Sequence, residues 1–170
     1  FEMDRDLPGA TAGFSPVERH LDETYAWSGA RSQVALPGLD RDVAWVCVFR
    51  VRGSRPAGVP QPQVQIAADG VTLVTEAATN SYHEIEAVVP VRAGRPGLSL
   101  TLSSDPTWVP GPQDPRNLGV QVDRIACHPE GALTSPPRRA LTHSAGAAVL
   151  VGGALAAAGL PVTVAIVVAL

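Results

Sequence analysis

Lysine is absent from this chain of 170 residues, and cysteine, methionine and aromatic residues are scarce. The basic set is therefore 13 arginines, set against 16 acids, for a net charge of −3 with no long run of either sign. Nucleic acid is excluded as a partner, because phosphate backbones are held by a concentrated basic face. An all-arginine basic set reads as the mark of a high-GC genome, not as a binding signal. The two cysteines, Cys47 and Cys127, have no CxxC spacing. That excludes a four-cysteine zinc site and a close redox pair. Two readings of them stay open: buried free thiols, which is the simpler, or a disulfide between neighbouring strands of an exported domain.

Catalytic groupings are missing as well. The four histidines, His20, His83, His128 and His143, are scattered without paired spacing. There is no Ser/His/Asp arrangement, phosphate loop or recognisable carboxylate pair. Asp105, Asp114 and Asp123 could offer oxygens to a structural Ca²⁺, but their spacing fits no ion-binding motif. No catalytic residue, metal or cofactor is expected. The chain opens on Phe1, which reads as a fragment or a processed product.

What is present is a β pattern. Gly 16 and Pro 16 suit a protein with many turns. Residues 1–12 carry Pro8-Gly9 and read as a linker or an incomplete first strand. From Gly13 short apolar runs alternate with turn signals. Strands are expected at 24–27, at 33–36 and, most strongly, at 44–52 (AWVCVFRVR). There Trp45, Cys47, Phe49 and Val51 share one face by the period of two, while Val46 and Val48 lie on the other beside Arg50 and Arg52. Apolar residues on both faces near its middle predict a central strand. Residues 53–62 hold too many prolines and glycines for regular structure. Strands at 63–67 and 71–75 flank Asp69-Gly70, a type I′ hairpin signal. Further strands are expected at 83–89, at 98–102 with three leucines in and Ser99 and Thr101 out, and at 120–127. The last slips phase between Val122 and Ile125, which predicts a β-bulge. A long Pro-rich loop spans 103–117. About eight short strands without an amphipathic helix among them predict an all-β, jelly-roll-like sandwich over 13–128.

Residues 129–139 read as a linker, and composition then changes. Residues 140–170 contain no charged side chain, and a membrane helix needs about 20 apolar residues. A transmembrane helix at 140–160 and the start of a second at 161–170 are expected. One long helix kinked at Pro161 is the other reading. Ser144, Ala148, Gly152 and Ala156 would allow close helix packing, although alanine and glycine are simply abundant there.

Four pieces of the β region carry a resemblance. They are GFSPVE at 13–18 followed by TYAWSG at 24–29 and LPG at 36–38; RPAGVPQPQVQIAADG at 55–70; LSLTLSSD at 98–105; and DPRNLGVQVDRI at 114–125. Their order resembles the extracytoplasmic β-domain near the N-terminus of bacterial polytopic membrane proteins of the glycosyltransferase type, the dolichyl-phosphate-mannose-mannosyltransferase-like (GT-C) group. One departure is Trp108 in TWVPG at 107–111, where phenylalanine is expected. The resemblance implies a galactose-binding-like sandwich, a likeness of shape alone, placed outside the cytoplasm at a bacterial cell membrane. It also implies that catalytic acids lie in loops between membrane helices, beyond this chain. The expected role is a non-catalytic accessory domain that binds glycan. The alternative is a structural or assembly domain without a ligand of its own that packs on the protein's own membrane region or on a partner protein. Arg138-Arg139 before the apolar stretch argue for the opposite orientation by the positive-inside rule. Two arginines weigh little against a long domain that translocates regardless of charge.

The candidate ligand contacts lie in one loop. Trp108 could stack on a pyranose face, and Asp114, Arg116 and Asn117 could hydrogen-bond sugar hydroxyls. Arg55, which opens the second motif, joins them. Turn chemistry explains the same residues: Asp114-Pro115 starts a turn, Arg116 pairs with a nearby acid, and Gly119 permits a close approach. Trp45 is expected in the core, and Trp27 in the core or at its rim.

Overall fold

The computed structural model describes residues 11–21, 23–95, 97–131 and 149–150. The chain divides into two compact units, Phe1–Glu130 and Gly131–Leu170. In the second, only Gly131 and the helical pair Val149 and Leu150 are described. The expected membrane segments at 140–160 and 161–170, their small-residue stripe and Arg138-Arg139 otherwise lie outside the described residues. Among the described residues no helix is long and apolar enough to cross a membrane.

The described residues of the first unit form nine antiparallel strands: β1 (Thr11–Phe14), β2 (Glu18–His20), β3 (Glu23–Leu36), β4 (Trp45–Arg52), β5 (Gln63–Ala68), β6 (Val71–Ala77), β7 (His83–Val89), β8 (Leu98–Asp105) and β9 (Gln121–Pro129). Their order is β6-β5-β8-β3-β9-β4-β7, with β1 and β2 both paired to β3. β3 belongs to two sheets: its second half pairs with β8, and Ala26 and Trp27 in its first half pair with β9. The inward residues form one core. Val64, Ile66, Leu100 and Leu102 come from one sheet, and Phe49, Val51, Ile85 and Ile125 from the other. Each such side chain contributes roughly 1.5–3 kcal/mol by leaving water.

The period-two pattern places most of these strands where the sequence does. Cys47, Phe49 and Val51 are fully buried, and β4 lies between β9 and β7. Trp45 differs from the expected core position: it is half-buried against the core, and its Nε1–H donates to the Asp40 carbonyl at 2.6 Å. Asp69 and Gly70 have φ of 49° and 85°, as a type I′ turn requires. The bulge falls at Asp123, because Arg50 pairs with Arg124 and Val51 with Val122.

Four expectations are corrected. The segments at 24–27 and 33–36 are one strand of 14 residues. The SGARS between them stays extended because serine hydroxyls replace ladder bonds: Ser32 Oγ donates to the Gly13 carbonyl at 2.6 Å and accepts from Gly29 N–H at 3.1 Å. The domain does not begin at Gly13 or end at 128. Thr11 and Ala12 pair with Val34 and Gln33, and Glu130 N–H donates to the Ala44 carbonyl at 2.8 Å. β2 adds a strand that its polar ERH sequence does not announce. Thr101 is buried rather than outward in solvent, because β8 is internal and Gln33 and Ala67 flank it in register.

Two devices lock the sandwich. Cys47 and Cys127 face each other across β4 and β9 with Cα atoms 4.1 Å apart and are joined as a disulfide. The second is an ion pair under the β5–β6 turn. Arg41, 1 % exposed, donates to Asp69 at 2.7 Å and to the Pro90 carbonyl at 3.1 Å. Burial raises the Asp69 carboxyl, but the Arg41 hydrogen bond, Ser99 N–H and the charges of Arg41 and Arg92 outweigh it and hold the group below its ordinary 3.8.

Two predictions follow from these locks. Reducing the disulfide, or Cys47→Ser with Cys127→Ser, lowers unfolding stability by about 2–4 kcal/mol; an unchanged denaturant midpoint under reductant would refute this. A carboxyl depressed in the folded state stabilises above its unfolded pKa, and that stability is lost as pH falls through the folded one. Melting temperature should therefore drop below about pH 4, and Asp69→Asn should be less stable at neutral pH with a shallower acid limb.

Candidate functional site

Three loops meet at one end of the sandwich: 53–62 after β4, 78–82 before β7 and 106–120 between β8 and β9. Gly53 N–H bonds the Thr79 carbonyl at 2.7 Å, and Asn80 Oδ1 accepts from Arg55 N–H at 2.8 Å and Gln61 Nε2 at 2.7 Å. Arg55 ties these loops to the third. It is 5 % exposed, and its Nη2 donates to the carbonyls of Leu118 at 3.0 Å and Gly119 at 2.7 Å. No acid faces it among its described contacts, and burial lowers its pKa. A guanidinium stays charged even so, so this is a buried cation held by carbonyl dipoles rather than by an acid.

The long Pro-rich loop is itself ordered. Trp108 and Leu118 exchange backbone hydrogen bonds at 2.9 and 2.8 Å, and a second bridge joins Gly111 to Asp114. Trp108 is half-buried against Tyr25, Trp27 and Leu118, with the Arg55 guanidinium 5.5 Å from its ring. Trp27 is 6 % exposed and so lies within this cluster. Arg116 is held by two acids. Its Nε and Nη2 grip Asp114 at 2.8 and 2.7 Å, and Nη1 meets Glu18 at 2.5 Å. The Arg116 hydrogen bonds hold the Asp114 carboxyl low, and the hydrogen bonds to Asp114 and Glu18 raise Arg116. Asn117 is exposed. Of the five sequence candidates, Arg55 and Trp108 are brought together, Asp114 and Arg116 pair with each other, and Asn117 stands at the surface. Among the described residues no group of three or more His, Cys, Asp or Glu is placed to hold a metal.

A different array lies next to this loop end, on the outer face of the β3-β9-β4-β7 sheet. Because Phe49 and Val51 point inward, Arg50 and Arg52 point out. Arg50 meets Asp123 at 2.5 Å; Arg52 meets Glu23 at 2.9 Å and donates from Nε to Gln121 Oε1. Tyr82 braces both, its ring centre 4.5 Å from the Arg50 guanidinium and 4.3 Å from that of Arg52. Tyr25 lies 5.7 Å from Arg52. Arg124 and Glu84, which flank Arg50 in register on β9 and β7, pair with each other at 3.1 Å. These groups stay partly open: Arg50 is 38 % and Asp123 28 % exposed. Burial pushes the Tyr82 hydroxyl up to about 12, with Arg52 and Arg50 opposing and Glu23 and Asp123 adding to the shift. Among the described residues that hydroxyl has no hydrogen-bond partner. Sequence reading places Arg50 and Arg52 on the outer face but cannot supply their partners, which arrive from β3, β9 and the residue before β7.

No family model matches the chain, and no curated protein matches it. Solved structures give remote likenesses. A family 35 carbohydrate binding module from Clostridium thermocellum is similar at 13 % identity, with 75 % of this chain and 96 % of that one covered and a TM-score of 0.48. The C-terminal CBM6 of the laminarinase LamC from Zobellia galactanivorans is similar at 14 % identity, covering 74 % and 94 %, with a TM-score of 0.46. CsCBM6-3 from Clostridium stercorarium, solved with cellobiose, is similar at 13 % identity, covering 71 % and 86 %, with a TM-score of 0.43. At these values the likenesses carry no argument; the all-β fold rests on the strand order and register above.

The close approach behind the array makes a prediction of its own. A Cβ on Gly119 would collide with Ser28 Oγ and sit 2.5 Å from the Gly29 carbonyl. Gly119→Ala should therefore cost about 3 kcal/mol, at the upper end for forced overpacking. Arg55→Ala, which strips the Gly119 carbonyl of its donor and removes a second bond to the Leu118 carbonyl, should cost about 1–3 kcal/mol. Urea denaturation measures both; losses within about 0.5 kcal/mol, the range of an ordinary surface change, would contradict these roles.

Proposed function

We propose that this chain carries a non-catalytic glycan-binding domain, an extracytoplasmic accessory module of a membrane-embedded glycosyltransferase-like protein. One observation carries the binding role: guanidiniums and carboxylates, braced by tyrosines, stand half-open on a rigid sheet. Sugar hydroxyls are recognised by fixed planar donors and acceptors, and donors that are already immobilised lose less freedom on binding. Cation–π contacts of the kind Tyr82 makes are worth roughly 0.5–1 kcal/mol at exposed sites, enough to bias a side chain toward one position. The Trp108–Arg116 loop supports the same end of the sheet from beside it. The membrane setting draws on the motif resemblance and on the uncharged residues 140–170. The Cys47–Cys127 disulfide agrees with an oxidising compartment outside the cytoplasm.

A second reading, a structural domain without a ligand, is favoured by the other half of the same face. Val88 is 53 % exposed there, in register with half-buried Val46. Such a patch suits contact with protein.

Glycan-array binding by the full chain in detergent separates the two readings. The module reading expects bound saccharides whose affinity falls at least tenfold in Arg52→Ala, with an unchanged β spectrum and melting temperature. A folded protein that retains no saccharide on the array leaves only the structural reading.

A further inference from the structure

We infer that the ligand of the β3-β9-β4-β7 face is an uncharged saccharide bound through two separated hydroxyls, one at each arginine–carboxylate pair, and not a uronate, sulfated or phosphorylated sugar. This rests on the glycan-binding reading above and adds the chemical class. Each arginine on the face has an acid against it: Arg50 with Asp123, Arg52 with Glu23, Arg124 with Glu84. These three cations and three anions cancel, and Glu86, exposed on the same face of β7, adds one further anion. An anionic sugar approaching any of these guanidiniums would meet a carboxylate within 3.1 Å of it. Like charges at such distances repel, so the gain from the arginine is offset by its own partner.

A hydroxyl fits where an anion does not. It donates one hydrogen bond and accepts two, whereas an ionised carboxylate only accepts and a guanidinium only donates. Arg50 uses Nη1 for Asp123, and Arg52 uses Nη2 for Glu23 and Nε for Gln121. An arginine carries five N–H donors, so each has donors beyond those bonds. A hydroxyl beside an Arg–carboxylate pair can accept from the one and donate to the other. Two such pairs lie side by side, because Arg50 and Arg52 are alternate residues of one strand sharing the Tyr82 ring. Their spacing along the strand is about 7 Å by strand geometry, which matches two groups on one sugar ring or on adjoining rings.

The test uses the full chain in detergent, with neutral oligosaccharides and their uronate-containing or sulfated counterparts as probes, at low and high NaCl. Neutral saccharides should bind, with affinity changing less than twofold between 20 and 500 mM salt, about the range that screens surface charge. Asp123→Asn, which leaves Arg50 without its acid, should raise affinity for the acidic probes at least tenfold and make it salt-sensitive. Preference of the unaltered chain for acidic probes, weakening more than tenfold with salt, would overturn the neutral class while keeping the glycan reading. Binding of neither set would remove both.

Discussion

Where β3 passes from one sheet to the other, the chain entering β9 comes too close at Gly119 for a side chain to stand between them. Ser28 stands at that point. Its carbonyl accepts from Gly119 N–H at 2.7 Å, its N–H donates to the Val120 carbonyl at 2.8 Å, and its hydroxyl accepts from Val120 N–H at 2.9 Å. The same hydroxyl lies 3.3 Å from Ser104 Oγ of β8. A buried backbone group left without a partner costs about as much as a lost hydrogen bond. This one serine satisfies several groups at once, and Gly119 makes room for it. The start of β9 is thereby set against β3, and its register against β4 follows.

That register builds the outer array. Gln121 comes to rest opposite Arg52, and the bulge at Asp123 turns its carboxylate to Arg50. Without the extra residue, the alternation of β9 would set Arg124 opposite inward Phe49 and turn Ile125 out of the core. Arg55 acts from behind, holding Leu118 and Gly119 where the third loop returns to the sheet. A buried arginine with no acid opposite is a costly choice for stability alone. It becomes intelligible as the post that sets the loop, with Trp108 stacked beside it.

Much of the sandwich is readable from sequence because its strands obey simple rules. The β5–β6 hairpin announces itself through Asp69-Gly70, β7 through strict alternation, and the bulge through a phase slip between Val122 and Ile125. What stays hidden depends on partners distant in the chain. β2 is polar because it only flanks β3, and the continuity of β3 through Ser28 and Gly29 depends on hydroxyl bonds to Gly13 and Val120. The sequence groups Arg55 with Trp108 as candidates, but does not show that the Arg55 guanidinium lies over the Trp108 ring. Arg50 and Arg52 look like an ordinary solvent face until Glu23, Asp123 and Tyr82 arrive from three other segments. The candidates at Asp114 and Arg116 were legible, and so was the turn chemistry in which they take part.

The central claim is that ligand meets the outer sheet face rather than the loop tip. Arginine Nε–H resonances of labelled protein, followed by nuclear magnetic resonance during titration with a neutral oligosaccharide, test it residue by residue. The account predicts saturable shifts at Arg50 and Arg52 with Arg116 unmoved. Shifts confined to Arg116 and the Trp108 indole would move the site to the loop and contradict it.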